Sequence, residues 1–155
     1  MECNGCKILT YVQSGVLFDT LKAALGRLGE YLPRALSEQV DLAAYTRKLV
    51  KYACIDLALS PDGQIVGILA HYSNDRETRK AYGTFFSIAP EYRGTGIAKV
   101  MMQLLIDTAK TSGMSVIEIK VVKDNARAQA LYRKFGFLVV SEASPEKVIM
   151  SRRLD

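Results

Sequence analysis

The segment Arg93-Gly94-Thr95-Gly96-Ile97-Ala98 sets a fixed positive charge and two glycines ahead of an amphipathic helix. Ile97, Val100, Met101, Leu104 and Leu105 keep the spacing of one helix face, so the glycines stand at its start. Backbone N–H groups are unpaired there and the helix dipole is positive. Without side chains at those positions a phosphate approaches the backbone closely, and Arg93 adds its charge beside it. The chemistry is anion binding, in a cradle for a phosphate or pyrophosphate. Two other phosphate motifs are excluded. A P-loop places four residues between its glycines and then Gly-Lys-Ser/Thr, and a dinucleotide fingerprint needs a third glycine where Lys99 stands.

Other residues with reactive side chains are few. Cys3 and Cys6 have C-x-x-C spacing, but no second pair or histidine cluster accompanies them, so two free thiols on a loose terminus are expected and no metal. Cys54 makes the cysteine count odd, and His71 is the only histidine.

The elements that must position the glycine turn follow from periodicity. Lys7 to Gln13 reads as a first strand. Ser14 or Asp19 caps a helix through Arg27, with Leu17, Leu21, Ala24 and Leu25 on one face and Gly29 past its end. Tyr31-Leu32-Pro33 breaks the pattern, and Ser37 or Asp41 opens a second helix to about Lys51. Ala53–Leu59 and Gln64–Tyr72 form an antiparallel hairpin around the Ser60-Pro61-Asp62-Gly63 turn. Ala81–Ala89 is the next strand and leads into the glycine turn and its helix, which Gly113 stops. Ser115–Val122 then lies parallel to the strand before the loop, through a right-handed βαβ crossover. Asp124 or Asn125 caps a short helix ending at Gly136, and Phe137–Ser141 and Lys147–Arg153 close the chain. The fold class is α+β: one domain over residues 1–155, with a mixed, mostly antiparallel central sheet, helices on both faces and a splayed parallel strand pair.

Two motifs carry a resemblance. The turn Arg93-x-x-Gly96-x-Ala98 resembles the acyl-CoA pyrophosphate loop of the GCN5-related N-acetyltransferases (GNAT). About 30 residues later, with one strand between, Asn125-x-x-Ala128-x-x-Leu131-Tyr132-x-x-x-Gly136-Phe137 looks like the second motif helix of the same family. The resemblance covers residues 50 to 140 by motif and the rest by element order.

The resemblance implies an acetyl-CoA cosubstrate, no metal, and direct acetyl transfer to a primary amine. The backbone of Phe86, Ser87 and Ile88 would bind the pantetheine arm as an added strand. Arg93, Gly94, Thr95, Gly96, Ile97 and Ala98 would hold the pyrophosphate, and Asn125 would bond the pantetheine or order its turn. The Tyr132 hydroxyl would meet the leaving thiolate as general acid. The attacking amine must lose a proton, yet Ala81–Ser87 carries no acid where many relatives have a carboxylate. Glu118 and His71 are the candidate bases, and Lys120 stands where relatives often have an acid. Tyr31 to Val50 and the loop Tyr72 to Lys80 are the expected acceptor wall, with Tyr31, Tyr72 and Asn74 as substrate contacts. The run His71-Tyr72-Ser73-Asn74-Asp75 resembles relatives that take amino sugars or sugar nucleotides. The missing acid also leaves a silent acyl-CoA-binding sensor or partner domain open.

Composition sets bounds on this. With 155 residues, 49% hydrophobic and 24% charged, the chain has the balance of a soluble globular domain. No apolar run nears the roughly 20 residues of a membrane helix, and the start, Met1-Glu2-Cys3-Asn4, lacks the apolar core of a signal peptide, so a cytoplasmic protein without membrane contact is expected. The net charge of +5 comes without long basic runs or interleaved aromatics, which argues against nucleic acid and fits a small polyanionic ligand. A monomer or homodimer is expected.

Overall fold

The computed structural model describes residues 2–12 and 18–155. Gln13, Ser14 and Leu17, named above for the first strand and the first helix, lie outside the described residues. In chain order the elements are β1 (Glu2–Cys3), β2 (Cys6–Val12), α1 (Phe18–Gly29), α2 (Leu36–Gln39), α3 (Leu42–Tyr52), β3 (Cys54–Leu59), β4 (Ile65–Tyr72), β5 (Lys80–Ile88), α4 (Ile97–Thr111), β6 (Val116–Val122), α5 (Ala126–Lys134), β7 (Leu138–Ser144) and β8 (Lys147–Arg153). The strands form one sheet in the order β1-β2-β3-β4-β5-β6-β8-β7. Only β5 and β6 run parallel, joined by the α4 crossover. Apart from β1 and α2, the elements, their chain order and the parallel pair are those expected from the sequence.

The helices divide between the two faces, as side-chain alternation along β5 shows. Ser87 Oγ donates to the Leu28 carbonyl of α1 at 2.8 Å. Ile88, next in the strand, sits with its partner Gly67 over Met101 of α4. Leu21, Leu25 and Leu28 of α1 and Met101, Met102 and Leu105 of α4 are fully buried. Each face of the sheet therefore has its own helical cover.

Three local readings change. The N-terminus is not loose: Cys3 pairs with Cys6 across Asn4 (φ 49°) and Gly5 (φ 79°), the two positive φ values of a tight Asn-Gly hairpin. Both thiols are free. Of the two starts expected for the helix to about Lys51, Asp41 is the one observed, capping α3 by accepting from Ala44 N at 2.9 Å, and Ser37 falls instead in α2, an added turn before it. Gly29 closes α1 from inside rather than standing past its end. A β-carbon there would lie 2.6 Å from Leu36 Cβ, so the glycine is what lets α2 return against α1.

Two buried polar side chains sit on one face of neighbouring strands, Asp56 on β3 and His71 on β4. Asp56 accepts from Thr10 Oγ1 at 2.6 Å, and His71 Nδ1 is 2.8 Å from Ser73 Oγ. Asp56 Oδ2 and His71 Nε2 have no partner among the described residues. Burial pushes the Asp56 carboxyl up to about 6 and His71 down to about 4.

Two predictions follow from this packing. Helix propensity alone favours Ala over Gly by about 1 kcal/mol, but overpacking against Leu36 costs typically about 1–3 kcal/mol. Gly29→Ala should therefore lower stability to chemical denaturation. Asp56 binds its proton more tightly when folded than when unfolded, so its contribution to stability falls as pH rises between about 4 and 6. Asp56→Asn keeps the Thr10 bond and removes the buried charge. Its melting-temperature gain over the parent should be near zero at pH about 4 and grow to full size by about pH 7.

Candidate functional site

Strands β5 and β6 stop pairing early. Their ladder runs from Lys80–Val116 to Gly83–Ile119, after which β5 continues to Ile88 beside β4 and β6 continues to Val122 beside β8. Local chemistry explains the parting. Gly83 has no side chain where Ile119 crowds it; a β-carbon there would be 3.0 Å from Ile119 Cγ1. The next residue, Thr84, is an extra residue in the β4–β5 ladder, since Ala70 pairs with Phe85 and His71 with Gly83. Such a bulge bends the strand. Tyr45 of α3 fixes it, with its hydroxyl 2.7 Å from Thr84 Oγ1 and 3.2 Å from the Thr84 carbonyl.

The gap opens into a cleft of about 400 Å³. Ala89 N–H donates to Val66 O of β4, so by alternation Ser87 also faces β4 while Phe86 and Ile88 turn their backbone groups to the gap. Arg93 Nε donates to the Ile88 carbonyl at 3.2 Å. The open backbone edge is thus Phe86 with the Ile88 N–H, and the Ser87 backbone is engaged by the sheet.

At one mouth lies the glycine turn. Gly94 (φ 75°) and Gly96 (φ 90°) both take the left-handed conformation, and Gly96 caps α4 without any side-chain bond. The first N–H groups of the helix therefore stay open for an anion. Thr95 Oγ1 ties the turn to the Tyr92 carbonyl at 2.5 Å. The N-terminal hairpin braces it from outside, with Cys3 Sγ 3.9 Å from the Thr95 carbonyl. The Arg93 guanidinium lies 5.8 Å over the Tyr31 ring. Burial and the neighbouring Arg127 both push its pKa down, which marks two cations held close enough to repel. An anion between them relieves that repulsion.

Asn125 caps α5, its side-chain oxygen accepting from Ala128 N at 3.2 Å, and lines the cleft beside Ala128, Leu131 and Tyr132. Tyr132 is only 7% exposed and packs at 5.9 Å between ring centroids against Phe137. Burial alone pushes its hydroxyl up to about 12, so the phenol stays protonated at neutral pH.

The remaining sequence candidates are spread more widely. Tyr31 lines the cleft. Glu118 pairs with Lys80 at 3.5 Å, in the stretch where β5 and β6 are still zipped. His71 is fully buried in β4, and neither residue lines the cleft wall. Asn74 donates to the Tyr52 carbonyl at 3.2 Å and faces a separate hollow; the Tyr72 hydroxyl is buried without a partner. The cleft gathers Arg34 and Gln39, within the segment expected as acceptor wall though not named individually, and Arg127 and Lys147, which the sequence did not single out. Arg127 alone had a local signal, a cation in the first turn of a helix where the dipole favours acids. Lys120 also lines the cleft.

Among the described residues no helix is long and apolar enough to cross a membrane, and no cluster of metal-ligating side chains occurs.

Comparison with known proteins agrees with this geometry. The model of the acetyltransferase (GNAT) family matches residues 27–137. An uncharacterized N-acetyltransferase of Mycobacterium bovis is 35% identical over 113 residues, 71% of this chain and 69% of that protein. N-alpha-acetyltransferase 30 of Schizosaccharomyces pombe is 32% identical over 82 residues, 52% of this chain and 55% of its own. The chain spans about half or less of the length of several curated relatives it matches. The crystal structure of a GNAT-family acetyltransferase from Streptococcus pneumoniae superposes with a TM-score of 0.75 at 18% identity, covering 96% of this chain and 100% of that one. By family match and by close relatives, the chain belongs to the acetyltransferase (GNAT) family.

Proposed function

We propose that this chain transfers the acetyl group of acetyl-CoA directly to the primary amine of a small molecule. One observation carries the reading: the parallel ladder ends at Gly83–Ile119 with an anion-binding turn at the mouth of the gap and a buried, protonated phenol on its wall. Arg93, Arg127 and the α4 N-terminus would hold the pyrophosphate. The Phe86 backbone would bond the pantetheine amides as a strand does. Tyr132 would then donate its hydroxyl proton to the thiolate that departs as the amine attacks the acetyl carbon.

The proton on the amine needs a different route, because no carboxylate or imidazole lines the cleft. We assign it to water at the open acceptor mouth, with Glu118 as the receiving carboxylate. Glu118 shares its sheet face with Lys120, two residues along β6. His71 is the weaker candidate, since burial holds it down near 4 and closes its free nitrogen to solvent. The acid-free wall also favours a second reading, a silent acyl-CoA-binding domain. Release of free CoA thiol from acetyl-CoA with a panel of amines separates the two.

Two substitutions test the roles. Arg127→Ala should weaken CoA by about 1–3 kcal/mol, the range of a charge-assisted hydrogen bond, and leave pantetheine binding unchanged. Equal losses for both ligands in calorimetry would remove Arg127 from the pyrophosphate. Tyr132→Phe keeps the ring against Phe137 and deletes the hydroxyl. Turnover should fall by about 10- to 1000-fold with acetyl-CoA affinity and melting temperature held. An unchanged kcat on a good acceptor would leave Tyr132 a packing residue.

A further inference from the structure

The five charged side chains that line the cleft are all cations: Arg34, Arg93, Lys120, Arg127 and Lys147. Arg93 and Arg127 stand together by the glycine turn, where a pyrophosphate accounts for them. Arg34, Lys120 and Lys147 do not belong to that group. Lys120 pairs with Ile149 and Val122 pairs with Lys147 across β6 and β8, so both lysines lie on one face of the sheet. The contact of Lys147 Nζ with Gln39 Oε1 of α2, at 3.2 Å, shows that this face is the one α1–α3 cover. Gln39 in turn donates to the Arg34 carbonyl at 2.6 Å, which draws Arg34 to the same end. None of the three cations has a carboxylate partner among the described residues.

A pantetheine arm is neutral and asks for backbone amides, not ammonium groups. A cationic acceptor would meet repulsion from three sides. Like charges gathered along one cleft without a carboxylate partner repel one another until an anion enters. We infer that the acceptor is an amine that also carries an anionic group, a carboxylate or a phosphate, seated on Arg34, Lys120 and Lys147 while its amine points up the gap toward Tyr132. The inference rests on the acetyltransferase reading of the cleft and names its substrate class. It makes amino acids and amino-sugar phosphates candidates and disfavours polyamines and aminoglycosides.

Ternary product complexes test this without net turnover, because an amide does not appreciably acetylate CoA. Calorimetry on CoA-saturated protein would compare acetylated products in pairs that differ only in the anion. N-acetylglucosamine 6-phosphate against N-acetylglucosamine is the phosphate arm, and N-acetylalanine against N-acetylalaninamide is the carboxylate arm. At least one anionic member should bind roughly tenfold or more tightly than its neutral twin. Which arm responds tells the phosphate from the carboxylate. In Lys147→Gln, and separately in exposed Arg34→Gln, that preference should shrink to within about threefold, with the melting temperature as the folding control. Equal affinities within both pairs, a preference for the neutral twins, or a preference that survives both substitutions would overturn the inference. The two readings fail differently. Amine turnover without preference for anionic members sinks the inference and keeps the acetyltransferase. Anion-selective ternary binding with no turnover of any amine sinks the acetyltransferase and keeps the anion seat.

Discussion

Backbone groups inside a sheet are bonded almost without exception, because an unpaired N–H or C=O out of water costs about as much as a lost hydrogen bond. The β5–β6 pair breaks that habit halfway along, and much of this chain serves to keep it broken. Gly83 lets Ile119 close the zipped half tightly, and the Thr84 bulge then turns β5 away. Tyr45 occupies the Thr84 carbonyl, Arg93 occupies that of Ile88, and Ser87 ties the strand to α1 through Leu28. On the other bank β8 stays paired with β6 as far as Val122. On the β5 bank the backbone groups left open to the gap are thus those of Phe86 and the Ile88 N–H. In the proposed reading, a ligand with amides at strand spacing would complete the sheet there.

Charge is organised around the same gap. Buried Asp56 and His71 lie one strand or more away, and burial pushes each toward its neutral form, the Asp56 carboxyl up to about 6 and the His71 imidazole down to about 4. Among the described residues, the charged side chains of the cleft wall are all cations, which is the basis for proposing ligands that bring negative charge. Tyr132 differs from these cations in burial. Its hydroxyl, protonated at neutral pH even at an ordinary value, is pushed further up to about 12, while Arg34, Lys120 and Arg127 stay exposed.

Legibility in the sequence tracked locality. The glycine turn, the Asn125 cap and the helix carrying Tyr132 are each written within about a dozen consecutive residues, and periodicity placed them on the right elements. The grouping of Arg34, Gln39, Lys120 and Lys147 along one cleft was not legible, because they come from three separate stretches that only the tertiary fold brings together. Of the two segments expected as acceptor wall, Tyr31 to Val50 reaches the cleft with residues between Tyr31 and Gln39, whereas the loop Tyr72 to Lys80 stays outside it. Exposure of a loop says nothing about which end of the sheet it crowns. The break at Tyr31-Leu32-Pro33 was visible, but its cause was not. Gly29 yields its side-chain space to Leu36, a contact between residues that no short-range pattern links.

The N-terminal hairpin shows how one such nonlocal contact bears on the site. A turn whose glycines must stay free of side chains is flexible by composition, and a flexible cradle loses affinity to the entropy of ordering it. Thr95 limits that freedom from within by bonding the Tyr92 carbonyl, and Cys3 and Asn4 limit it from outside. A β-carbon on Gly96 would meet Cys3 Sγ at 3.7 Å and Asn4 Nδ2 at 3.8 Å, so the hairpin packs where a larger residue would otherwise fill the space. The hairpin can reach that place because the tight Asn4-Gly5 turn folds β1 back along β2, the strand that flanks β3. Glycine then supplies the close approach, and residues at the far end of the chain supply the rigidity that glycine gives up.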